Sequence, residues 1–89
     1  MPQSIGFLEA QGFHHVLNDE PYEDHWLLEG LPGGVSFLVE NETAGWSVAR
    51  DPHGDERPGE WYALGTGLSP EAMMTLLRKE LMAIGLDVI

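Results

Sequence analysis

The fold of this chain is decided by residues 35–50, which read VSFLVENETAGWSVAR. In Val35–Glu40 the odd-numbered residues are all apolar, whereas two of the three even-numbered ones, Ser36 and Glu40, are polar. This is the period-2 pattern of a strand with one face more apolar than the other. Trp46–Arg50 is a second run of this kind, and Asn41–Gly45 between them is rich in turn-forming residues. The stretch therefore predicts two antiparallel strands joined by a short turn.

Three further strands are predicted around this pair. Phe13–Leu17 and His25–Gly30 precede it, and Glu60–Leu64 follows it. Pro32–Gly34 is a strong turn signal between the second and third strands. Because consecutive short strands usually pair with their chain neighbours, the sequence predicts an antiparallel meander of four or five strands.

Helices are predicted at both ends of the chain. Ser69 is a typical N-cap, Pro70 suits the first helical position, and Gly85 is a typical residue to end the helix. Between them an apolar stripe recurs at helical spacing. Its members are Met73, Leu76, Leu77, Leu81 and Ile84. A shorter helix is predicted over Ser4–Gln11, with Ser4 as its cap and Gly12 as its end.

Together these elements predict one α+β domain over residues 1–89, in which a four- to five-stranded antiparallel sheet packs against the C-terminal helix. Trp26, Trp46 and Trp61 lie in three different predicted strands. They are expected to share the core, because each tryptophan buries a large area. Gly65–Gly67 is interpreted as a flexible connection from the last strand to the last helix.

Charge is the most unusual property of the chain. Fifteen Asp and Glu residues face four Lys and Arg residues, which gives a formal net charge of −11. Such a chain repels nucleic acid and anionic membranes, since both are bound through positive side chains. It is attracted instead to basic protein surfaces. The alternative interpretation is that the acidity serves solubility alone.

Several classes of protein are disfavoured by what the sequence lacks. It has no Cys, which excludes disulfides and thiolate zinc sites. Residues 1–6 contain neither Lys nor Arg and no apolar run, so they are unlike a signal peptide. Apolar runs elsewhere are too short to cross a membrane. We therefore expect a cytoplasmic protein that binds neither membranes nor nucleic acid directly.

Two acidic segments are the predicted contact surfaces for a partner. They lie in the loops after the first and fourth predicted strands, where carboxylates can pair with Arg and Lys side chains. Tyr22 is the predicted aromatic anchor of the first segment, because a tyrosine ring with its hydroxyl suits a partly hydrated interface. The predicted partner-binding residues are Asp19, Glu20, Tyr22, Glu23, Asp24, Asp51, Asp55 and Glu56.

Catalysis is not indicated by any motif, and no cofactor is expected. No serine stands in the context of an activated nucleophile. Asp51 does not begin a calcium-binding loop of the EF-hand type, because Tyr62 stands where that loop requires Glu. His14 or His15 together with His25 would make a small metal-binding module, but adjacent strand residues point to opposite faces, so the first two cannot share one ion.

In its overall character the chain resembles phage-borne inhibitors of bacterial defence, the anti-CRISPR proteins in particular. The resemblance consists of a short Cys-free domain, a net charge of −11, the strands Val35–Glu40, Trp46–Arg50 and Glu60–Leu64, and a terminal helix capped by Ser69. It implies stoichiometric inhibition in a bacterial host cell. The acidic clusters would stand in for phosphates on the basic groove of a CRISPR-Cas effector subunit.

Two other functions remain open at this point. The chain has the features of a structural or assembly protein if an exposed strand or its apolar tail drives self-association. It is a metal-binding module if the histidines named above bind an ion. The sequence leaves the oligomeric state undetermined.

Overall fold

The computed structural model describes residues 3–16, 24–53 and 60–86. These residues form two α-helices, five strands and one 3₁₀ turn, Pro32–Gly34, which lies between the second and third strands. The helices and strands are α1 (Gln3–Gln11), β1 (His14–Val16), β2 (Asp24–Leu28), β3 (Ser36–Glu42), β4 (Gly45–Asp51), β5 (Tyr62–Leu68) and α2 (Pro70–Ala83).

The five strands form one sheet in the order β1-β2-β3-β4-β5, and every neighbouring pair is antiparallel. The predicted meander and α+β class are therefore confirmed. The pair predicted from residues 35–50 lies at the centre, with Val39 opposite Val48. Its turn ends at Gly45, whose φ is +130°, and a Cβ there would lie 2.9 Å from the backbone of Gly67 and of Leu68. Only glycine fits this position without strain.

Both helices lie on one side of the sheet and cover a shared apolar core. Alternate strand residues point toward them. The buried residues are Phe7, Leu8, Phe13, Trp26, Leu28, Val35, Phe37, Val39, Trp46, Val48, Met73, Met74, Leu77 and Leu81. Leu76 and Ile84, the other members of the predicted stripe of α2, are partly buried against this core. The helix is therefore held mainly by tertiary packing of its apolar face.

The predicted ends of the helices are largely confirmed. The Ser69 hydroxyl accepts a hydrogen bond from the Ala72 N–H at 3.1 Å. At the other end Gly85 has a φ of +87°, and the N–H of the next residue donates to the Leu81 carbonyl at 3.1 Å. Gly12 ends α1 in the same way with a φ of +99°. In both helices this left-handed residue lets otherwise unpaired carbonyls accept hydrogen bonds.

Three details differ from the sequence-based expectations. Ser4 lies inside α1 and is buried, so it is not the cap of that helix. Trp61 precedes β5 and is 37% exposed, whereas Trp26 and Trp46 are buried in the core. Gly65–Gly67 belongs to β5 and is not a connection.

The glycines of β5 explain the last of these differences. The β4–β5 register shifts twice, between Trp46 and Val48 and again between Val48 and Ala49. Gly67 has a φ of +62°, a conformation that such bulges often require and that glycine adopts without penalty. A glycine needed by a bulge therefore looks in the sequence like one that ends a strand.

Neither helix within the described ranges has the length and apolar character needed to cross a membrane.

Candidate protein-binding face

The sheet has a second face that the two helices do not cover, which we call the open face. Side chains alternate between the two faces along each strand. Two residues that are directly opposite each other on neighbouring strands point to the same face, so the pairing identifies the residues of the open face. The accessible open-face residues include His14, Val16, His25, Leu27, Leu38, Glu40, Glu42, Ser47, Ala49 and Ala63. None of their apolar side chains packs against the core.

An apolar row crosses the middle of the open face. Leu27 pairs with Leu38, Leu38 with Ala49, and Ala49 with Ala63. The first three side chains are half-buried and Ala63 is exposed. Since neighbouring strands lie about 4.8 Å apart, the row extends about 14 Å across the sheet from β2 to β5.

Carboxylates border this row toward the β3–β4 turn. Glu40 Oε2 lies 3.1 Å from His25 Nε2, and about a fifth of each side chain is exposed. Glu42 Oε1 accepts a hydrogen bond from the Ser47 hydroxyl at 2.9 Å. These contacts hold two acidic groups near one end of the open face, where a partner can reach them.

The opposite end of the face carries a looser ion pair and a buried aspartate. His14 Nε2 lies 3.8 Å from Glu29 Oε1, and both side chains are more than half exposed. Ser36 and Asp51 pair across β3 and β4 and are buried, with Asp51 fully inaccessible. The Asp51 carboxylate accepts a hydrogen bond from the backbone N–H of His53 at 3.0 Å.

The burial of Asp51 changes the role assigned to it. The sequence places it among exposed partner-binding residues, but a side chain with no accessible surface cannot touch a partner. Its carboxylate instead holds the chain as it leaves β4, in the manner of an aspartate that bonds to a backbone N–H two residues later.

The described Lys and Arg side chains all lie on the helix side of the sheet. The described basic residues are Arg50, Arg78 and Lys79. Arg50 is paired with Phe37, whose buried side chain points to the helices, so both are on that side. Arg78 and Lys79 lie on α2, and the Arg78 guanidinium stacks over the Phe7 ring at 4.9 Å. Among the described residues the open face therefore carries carboxylates and no Lys or Arg.

Most of the predicted contact residues lie outside the described ranges. These are Asp19, Glu20, Tyr22, Glu23, Asp55 and Glu56. Asp24 is the first residue of β2, with its backbone opposite Asn41. β1 ends and β2 begins at the end of the sheet that carries Glu42. The chain leaves β4 for residues 54–59 at the other end, so the two acidic segments connect to opposite ends of the sheet.

The histidines of the metal hypothesis, His14 or His15 together with His25, do not all lie on one face of the sheet. His15 stacks on Trp26 on the helix side, with ring centroids 4.5 Å apart. His14 and His25 lie on the open face, each next to a glutamate. The part of the chain that the structure describes contains no group of three or more side chains arranged to hold a metal ion.

Sequence reasoning missed the open face as a site, although one signal for it was visible. Leu38 and Glu40 alternate with the core residues Phe37 and Val39, so the strand pattern already placed them on the other face. What the pattern does not contain is the position of the helices. They determine which face is covered.

No protein family, curated protein or solved structure matches this chain.

Proposed function

We propose that this is a non-catalytic binding protein that occupies a basic surface on a partner protein. The observation that supports this function is that the described part of the open face carries carboxylates but no Lys or Arg. The described Lys and Arg residues lie on the helix side, while Glu40 and Glu42 border an uncovered apolar row. An apolar centre with a charged rim is the usual anatomy of a protein interface.

Inhibition of a nucleic-acid-binding partner is the form of this function that we propose. Proteins bind nucleic acid through Lys and Arg side chains that contact phosphates, and the same side chains pair readily with carboxylates. A net charge of −11 on 89 residues would steer the chain onto such a surface. An inhibitor of a CRISPR-Cas effector complex is the most concrete case, and its expected contacts include Asp19, Glu20, Tyr22, Glu23, Asp24, Asp55 and Glu56.

Capture from a bacterial lysate tests the proposal. The immobilised protein is incubated with lysate at low and at moderate salt, and bound proteins are identified by mass spectrometry. We expect a basic nucleic-acid-binding protein, such as a CRISPR effector subunit, that is released as salt rises and is displaced by duplex DNA. A captured protein that DNA does not displace would contradict the inhibitory mechanism, because the two ligands would then use different surfaces.

Charge reversal identifies the face that binds. Two variants test this: the single substitution Glu42→Lys, and the double substitution Glu23→Lys with Asp24→Lys. Each should weaken binding and reduce its salt dependence, because contacts between opposite charges are lost. Glu71→Lys is the control for Glu42→Lys, since it changes the charge equally at an exposed position on α2. If all variants bind alike, the acidity serves solubility and the proposal fails.

Self-association is the competing function, and the edges of the sheet argue against one route to it. β1 has only three residues, and β5 has two register shifts. Short and bulged edge strands resist pairing with another sheet. We expect light scattering to give the mass of a monomer, and an obligate oligomer would favour an assembly role.

A further inference from the structure

We infer that the apolar row Leu27-Leu38-Ala49-Ala63 is the docking site for a basic amphipathic helix of the partner protein. The inference rests on the proposed function and names the partner's binding element. The row is continuous across four strands, and its side chains are at least partly accessible. Neither described helix covers it.

The geometry of the row suits a helix that crosses the strands. Successive turns of an α-helix are about 5.4 Å apart, close to the spacing of about 4.8 Å between neighbouring strands. Apolar side chains on successive turns can therefore rest over Leu27, Leu38 and Ala49 in order. A row about 14 Å long accommodates about ten helical residues at 1.5 Å each.

The charges beside the row complement basic flanks on such a helix. Glu40 follows Leu38 by two residues, which places it about 7 Å along the strand from the row. Glu29 follows Leu27 by two residues in an antiparallel strand, so it lies on the other side of the row. Lys and Arg residues on either side of an apolar helix stripe can therefore each meet a carboxylate.

A second copy of the chain fits this face less well than a basic helix. Two open faces in contact would bring Glu29, Glu40 and Glu42 of one copy against the same acidic set of the other. No described Lys or Arg on this face offsets that repulsion. An extended peptide that adds a strand is also disfavoured, because both edges of the sheet are short or bulged.

The test uses a fluorescent synthetic peptide of about 14 residues, long enough to cover the row with a turn to spare. Its sequence places Leu at i, i+3, i+4, i+7 and i+11, with Lys at flanking positions. A matched peptide carries Glu at every Lys position. We expect saturable binding of the Lys peptide by fluorescence anisotropy and none of the Glu peptide. Failure of the Lys peptide to bind overturns the inference.

Two variants then locate the peptide. Leu27→Ala combined with Leu38→Ala should weaken its binding by about tenfold or more, as expected for truncation of interface anchors. Met82→Ala is the control, because Met82 is an equally apolar side chain, 64% exposed, on the helix layer. Equal loss in both variants, or no loss in either, contradicts docking on the open face. Circular dichroism verifies that both variants fold.

The outcomes separate this inference from the proposed function. If lysate capture recovers a basic partner that DNA displaces but the Lys peptide does not bind, the function stands and the helical docking element is wrong. Amide chemical shifts with the Lys peptide add a second readout. Shifts confined to β2–β4 support the site, whereas shifts confined to α2 overturn it.

Discussion

The two faces of the sheet are built from the same strands but meet different surroundings. On the helix side, Phe37 and Val39 are fully buried beneath α1 and α2. On the open face, Leu38 lies between them in sequence and is only half-buried, with Glu40 paired to His25 beside it. One strand therefore serves the core with its odd-numbered residues and offers a surface with its even-numbered ones.

The difference separates residues needed for folding from residues available for binding. Burial of apolar area is the main source of stability, so the helix side carries most of it. Apolar side chains that stay accessible contribute less to the fold and are free to contact a partner. Substitutions on the helix side should therefore mainly lower stability, whereas substitutions on the open face should mainly weaken binding.

The largest expected difference in stability is between substitutions at two neighbouring residues of β3. Phe37→Ala should lower the free energy of unfolding by about 3–5 kcal/mol, because it leaves a cavity in the core. Leu38→Ala should cost less, about 1 kcal/mol, since the leucine is only partly buried and lies outside the core. Urea denaturation measures both values. Equal losses in the two variants would mean that the open face is packed as tightly as the core.

A smaller loss of stability is expected at Gly45, where the backbones of β4 and β5 approach each other closely. Gly45→Ala should destabilise the fold by about 2–3 kcal/mol, because it combines a positive φ with a Cβ 2.9 Å from the β5 backbone. Gly85→Ala is the control, with a φ of +87° but open space around the added Cβ, and should cost about 1 kcal/mol. Thermal unfolding of both variants checks this order. If Gly45→Ala were the milder change, the close approach of β4 and β5 would be wrong.

The smallest expected effect concerns the helix that covers one face. Ser69→Ala should cost about 1 kcal/mol, because the Ala72 N–H loses its hydrogen-bond acceptor. Ser47→Ala is the matched change on the open face, where the hydroxyl donates to Glu42 in an exposed contact, and should cost less than about 0.5 kcal/mol. Chemical denaturation again gives both values. A costlier Ser47→Ala would indicate that the hydrogen bonds of the open face contribute to folding.

The sequence predicted an element well where the local pattern agrees with the conformation that the tertiary structure requires. The cap at Ser69 and the helix ends at Gly12 and Gly85 depend on a few neighbouring backbone groups, so they could be predicted locally. β5 could not, because its glycines serve register shifts against β4 and not a turn. The prediction for Asp51 failed because its residue type and its position beside a loop indicated an exposed carboxylate, whereas the side chain is buried opposite Ser36 in the sheet.

By itself the sequence determined the class of the fold, the order of its elements, the C-terminal ends of both helices and the strong negative charge. Those properties follow from local spacing, capping and composition. Only the tertiary structure decided that the helices share one side of the sheet, which buries Phe37 and leaves Leu38 accessible. It also placed the described Lys and Arg residues on the helix side of the sheet, away from the open face. Which face is covered depends on contacts between residues far apart in the chain, and the local spacing of residue types does not predict those contacts.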